Sequence, residues 1–134
     1  MSFRLLFKAA IPVAVLLTSV PAWAESRLAL VIGQSAYKSV PALPNPGNDA
    51  KAMTQLLTDS GFEVSQAADL TQSDMRAAVS DFAGKLAAKG PDTVALVFYA
   101  GHGIQVDGEN FLIPTDIDPK READIPMQAV RLND

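Results

Sequence analysis

Thr93-Val-Ala-Leu-Val-Phe-Tyr-Ala-Gly-His-Gly103 decides how this chain of 134 residues folds. Its first seven residues are almost all apolar, rich in β-branched and aromatic types and stopped by glycine, which predicts a strand over Thr93–Tyr99. No polar residue alternates with the apolar ones, so this strand is expected to be the most deeply buried of its sheet. A second run, Arg27-Leu-Ala-Leu-Val-Ile-Gly33, has the same character and predicts a strand covered on both faces. Phe62 to Ala67 predicts a weaker third.

Helical patterns lie between these runs. From about Asn45 or Gly47, the residues Ala50, Met53, Leu56 and Leu57 recur at three-to-four spacing until Gly61, a suitable stop. Thr71 with Asp74 three positions on resembles a capping box, and Met75, Ala78, Val79, Phe82 and Leu86 mark one helical face up to Gly90. The loop Gln34 to Pro46 carries Pro41, Pro44 and Pro46 and cannot be regular. Past the deciding stretch, Gly103–Val106 and Glu109–Ile113 flank Asp107-Gly108, a hairpin signal. Pro114 to Asp124 reads as an acidic loop, and Ile125 to Asp134 as the start of another helix. Strands alternating with helices imply an α/β fold, a doubly wound three-layer αβα sandwich on a mainly parallel sheet with right-handed crossovers. Ligands of such sheets bind beyond the carboxyl ends of the strands, where the loops after Gly33 and Tyr99 arrive.

With 49% hydrophobic and 19% charged residues, the chain is neither disordered nor collagenous. Met1 to Ala24 carries Arg4 and Lys8, then an apolar run from Ala9 to Val20, then Pro21-Ala-Trp-Ala24. This is the three-part pattern of a secretory signal peptide; an uncleaved membrane anchor is the competing reading, though the run falls short of the length needed to span a bilayer. Cleavage after Ala24 leaves one domain over 25–134, exported to a bacterial periplasm or secreted, with no membrane association once the leader is removed. All 15 acidic residues lie beyond the leader, so the remainder is more negative than the overall −4. Such a surface repels nucleic acid, and no basic cluster exceeds Lys120-Arg121. There is no cysteine, which removes disulfides and thiolate chemistry from this chain.

His102 is the sole histidine. It follows a strand's carboxyl end between two glycines that permit a sharp exit, placing imidazole and neighbouring N–H groups where a substrate would lie. Imidazole is the side chain suited to proton transfer near neutrality. Ser35 stands on the facing loop, but no Gly-x-Ser-x-Gly elbow accompanies it. A metal held by His102, Asp116 and Asp118 lacks ligand spacing, so no metal or cofactor is expected. Nucleotide-binding glycine patterns are missing as well. Asp49, at the opening of the first helix, either stabilises the helix dipole or faces the same cleft as His102 and recognises a basic side chain.

Together, Arg27-Leu-Ala-Leu-Val-Ile-Gly33 with Tyr37, Leu43-Pro-Asn-Pro-Gly-Asn-Asp-Ala50, Gly61-Phe62, Phe98-Tyr-Ala-Gly-His-Gly103, Asp107-Gly108 and Leu112-Ile-Pro114 resemble the caspase-like superfamily of cysteine peptidases. The resemblance is nearest to bacterial members related to metacaspases and runs from about Arg27 onward. It implies peptide-bond hydrolysis by a Cys/His pair acting on a protein or peptide substrate. His102 matches the catalytic histidine, Gly103 the residue whose N–H helps hold the oxyanion, and Asp49 an aspartate selecting Arg or Lys before the cut. Ala100 stands where serine is common.

In that family the cysteine follows the next parallel strand, so the resemblance covers the front part of a catalytic domain, a sheet incomplete on its C-terminal side. This chain alone is therefore expected to be inactive. If the strands order second, first, third, Thr93–Tyr99 forms an edge without charge, proline or bulge, a template for another strand. The alternative is a non-catalytic module that binds peptides, a partner or a second copy through that edge.

Overall fold

The computed structural model describes residues 25–133, and the signal peptide expected over Met1–Ala24 lies outside them. The elements run β1 (Arg27–Gly33), α1 (Pro46–Asp59), β2 (Glu63–Ala68), α2 (Gln72–Lys89), β3 (Val94–Ala100), β4 (Gly103–Val106), β5 (Glu109–Leu112), α3 (Ile125–Gln128) and β6 (Val130–Arg131). The first three strands form a parallel sheet in the order β2-β1-β3, with Leu28 opposite both Glu63 and Ala95.

The apolar run of β1 is explained by its central place: Leu28 through Gly33 are all buried. Ala29 and Val31 pack under α1 against Ala50 and Leu57, while Leu28, Leu30 and Ile32 pack on the other face against Phe82 of α2. Side chains alternate across a strand, so one buried strand seats a helix on each face. That is the three-layer, doubly wound arrangement the sequence implies.

β3 corrects an expectation. It is not the most buried strand: Val94 is 37% and Val97 58% exposed. Among the described residues β3 pairs only with β1, leaving its other edge bare. Its uniform apolarity therefore coexists with exposure.

The helix boundaries follow local chemistry. Thr71 caps α2 by accepting the Asp74 N–H at 3.2 Å. α1 carries proline at its first turn and no side-chain cap from Asn45. The Gly47 N–H instead donates to the Ser35 hydroxyl from the preceding loop at 3.1 Å. After α1, Gly61 takes a φ of 85°, a conformation open to glycine.

Beyond β3 the chain makes a second, antiparallel sheet in the order β4-β5-β6. Asp107 and Gly108 form the two-residue turn between β4 and β5, both with positive φ. The expected helix from Ile125 is only one turn long before the chain joins β5 as β6. Ala129, fully buried in one core with Phe111, Ile113 and Ile125, takes up extended backbone and ends the turn.

Candidate functional site

β1 and β3 end side by side, with Gly33 opposite Ala100. The Gln34 N–H continues that ladder by donating to the Ala100 carbonyl at 2.8 Å. The side chain of Gln34, fully buried, spans to the end of β2. Its amide nitrogen donates to the Leu70 carbonyl at 2.8 Å and its oxygen accepts the Leu70 N–H at 2.7 Å. Asp69, at a φ of 52°, accepts the N–H groups of Ser35 and Ala36 at 2.8 and 2.9 Å. These contacts fix the loop after β1, and that loop carries Tyr37 and Pro41 to His102.

His102 is held through main chain and ring alike. Its N–H donates to the Tyr37 hydroxyl at 2.8 Å, and its carbonyl accepts from the Tyr99 hydroxyl at 2.7 Å and from the Ile113 N–H at 3.1 Å. Burial pushes the Tyr37 and Tyr99 phenols up from their ordinary range, so both remain neutral hydrogen-bonding groups. The imidazole lies 4.6 Å from the Tyr37 ring, tilted by 53°. Its Nε2 is 2.7 Å from the Pro41 carbonyl. A carbonyl only accepts, so Nε2 carries the proton, and in the neutral ring Nδ1 holds the lone pair.

The two glycines differ from the sequence reading. Neither has a positive φ, so conformational freedom is not what they supply. At Gly101 a Cβ would lie 2.7 Å from both the Tyr37 and Tyr99 hydroxyls and 2.8 Å from the Gln34 Cβ, so close approach demands glycine there. At Gly103 an added Cβ would meet only the Phe111 carbonyl at 3.7 Å. The role expected of Gly103 lies in its N–H. Because Ile113 donates to His102, that opposed pair is hydrogen-bonded, and the next pair, Gly103 with Leu112, is the non-bonded one. The Gly103 N–H accordingly points away from β5.

His102, Gly103, Val40, Pro41, Ile104 and Ile117 are among the residues lining a depression of about 240 Å³. Asp49 is exposed and lines a different one, about 290 Å³, with Ala52, Met53, Leu56 and Phe98. The two share no lining residue. Asp49 belongs to the first turn of α1 and shares its depression with Phe98 of β3, whereas His102 follows the end of β3.

The remaining candidates have local partners. Ser35 caps α1. Asp116 accepts the Gln72 N–H opening α2 at 2.9 Å, and Asp118 pairs with Lys120 at 2.8 Å. The Arg121 guanidinium holds the Asp124 carboxyl below the usual carboxylate range, and the backbone N–H groups of Lys120 and Arg121 bind the same carboxylate. Lys120-Arg121 is thereby part of a local turn. Among the described residues no three His, Asp or Glu side chains converge as a metal site would require. Sequence reasoning missed Gln34, Asp69, Tyr99 and the Pro41 carbonyl, which act through a buried amide, a carboxylate, a phenol and a main-chain atom that no local pattern marks.

Comparison with known proteins gives concordant results. Residues 26–133 match the family described as Caspase domain. The human mucosa-associated lymphoid tissue lymphoma translocation protein 1 is 39% identical over 93 residues, which cover 69% of this chain and 11% of that protein. Its mouse homologue is 38% identical over the same span. Pig caspase-1 is 35% identical over 81 residues, 60% of this chain and 20% of that protein. The chain thus spans a small part of the length of these relatives.

Proposed function

The chain belongs to the caspase-domain family, and from that premise we propose that it is the histidine-bearing part of an exported cysteine endopeptidase that cuts protein or peptide chains after Arg or Lys. One observation carries the reading: His102 stands at the carboxyl end of β3 with Nε2 bound to the Pro41 carbonyl, beside a strand edge left open. The tie orients the ring so that Nδ1 is the nitrogen that exchanges protons. The nucleophile is not in this chain, which has no cysteine. A further parallel strand on β3 would bring a thiol to the same end of the sheet and cover Val97.

In that site Nδ1 takes the thiol proton as sulfur attacks the peptide carbonyl. The Gly103 N–H, directed away from β5, donates to the developing oxyanion. The carbon–nitrogen bond then breaks, the imidazolium gives its proton to the leaving amine, and water releases the acyl group from sulfur. Asp49 lines a depression that it shares with Phe98 of β3, and its carboxylate suits a guanidinium or ammonium. The signal pattern of Met1–Ala24 supports action in a periplasm or outside the cell.

The test begins with the coding DNA past Asp134. The expected continuation is an apolar strand ending in a cysteine; a stop codon there, or a continuation without cysteine, contradicts the peptidase reading. The bare edge of β3 favours one other reading, a non-catalytic module whose edge pairs with a partner or a second copy. That reading predicts a well-folded, self-associated 25–134 chain by gel filtration, with no gain in solubility on extension.

A further inference from the structure

The depression beside His102 has a composition unlike a polar active-site cleft. Apart from His102 and the backbone of Gly103, its lining is aliphatic: Val40, Pro41, Ile104, Ile113, Ile117, Pro119 and Ile125. Its volume of about 240 Å³ lies below the ~300–1,000 Å³ of pockets that enclose a whole small-molecule ligand. It is many times the ~30 Å³ share of one water molecule. The space fits one large side chain. Burying an aliphatic group there removes apolar area from water on both sides, and among the lining residues only the imidazole offers a polar side-chain atom.

We infer that this depression receives a large aliphatic side chain of the residue immediately after the cut. The inference rests on His102 being the group that protonates the leaving amine. When the carbon–nitrogen bond breaks, the nitrogen of the following residue accepts a proton from the imidazolium, so that residue must sit against the ring. Here the ring is one wall of the depression and Gly103, the oxyanion donor, is another. The carboxylate-marked depression at Asp49 shares none of these residues and takes Phe98 of β3 into its lining. A peptide passing His102 would set its basic side chain toward Asp49 and its next side chain among Val40, Ile104 and Ile117. The pocket then sorts substrates by a second residue, with Leu, Ile or Phe preferred to Gly or Asp.

Because His102 is the only histidine, isotope labelling of histidine gives a single set of imidazole NMR signals within the pocket wall. L-Leucinamide, which has the free amine and aliphatic side chain of a released product, is titrated into the full chain, with glycinamide and L-aspartic acid amide as comparators. Leucinamide is expected to shift the ring signals saturably, with an apparent affinity about ten-fold or more above that of glycinamide, as a filled hydrophobic pocket gives. Ile104→Asp, at a position 38% exposed, should abolish that preference while the far-UV spectrum stays unchanged. Val40→Asp, elsewhere in the lining, provides the same comparison should the first variant unfold. Equal responses to leucinamide and glycinamide, no response, or an undiminished preference in a folded variant overturns the inference. The ring response needs no sulfur, so a continuation without cysteine would remove the peptidase reading and leave this result standing.

Discussion

Two phenols fix the main chain on which the imidazole rides. Tyr99 donates to the His102 carbonyl and Tyr37 accepts its N–H, while the Tyr37 ring backs the imidazole. Tyr99→Phe removes one donor from a carbonyl that retains the Ile113 N–H. Urea unfolding should show a loss of about 1 kcal/mol, and the histidine ring signals should move. Unchanged ring signals would mean that Tyr99 does not position His102. Gly101→Ala presses a methyl against both hydroxyls at 2.7 Å. It should cost about 1–3 kcal/mol by the same assay, as overpacking does, and should disturb the ring more than Tyr99→Phe. A stable variant with native ring signals would contradict the close approach at this position.

At the scale of elements, the β3 edge left unpaired among the described residues predicts how the chain behaves on concentration. Val97 is 58% exposed, so Val97→Lys should alter stability by no more than about 0.5 kcal/mol. It should nevertheless lower light scattering on concentration, because charge on an edge opposes strand pairing. Equal aggregation of both forms would mean that β3 is not the sticky surface. The sequence made these elements legible where local chemistry decides them: the apolar run of β1, the Thr71 cap, the Asp107-Gly108 turn. It overstated the burial of β3, because an apolar run records what a strand is suited to meet and cannot reveal whether a neighbour is present. It placed His102 by its position after a strand. It could not show that the Pro41 carbonyl reaches the ring, since any residue supplies a carbonyl, nor that Asp49 lines a separate depression, since that depends on how α1 lies over β3.

For the whole molecule, the tyrosine pair couples the site to global stability. Burial raises both phenols' pKa values, so the folded state keeps its protons where the unfolded chain would lose them. The stabilisation is complete below the unfolded value of about 10 and declines as the pH rises beyond it. Thermal melts should therefore fall off steeply above pH ~10, and the combined Tyr37→Phe, Tyr99→Phe variant should show a shallower alkaline decline from a lower plateau. Parallel alkaline limbs would separate the two phenols from folding. The same molecule presents an anchored histidine and a strand with one edge unpaired among the described residues, and the proposed chemistry needs both. The decisive measurement is the rate at which the polypeptide extended past Asp134 through its next strand cleaves an Arg-containing peptide, compared with its His102→Ala variant. Cleavage after Arg that falls by about 10²–10⁴-fold in the variant is the predicted result; equal rates for the two proteins would contradict the role assigned to His102.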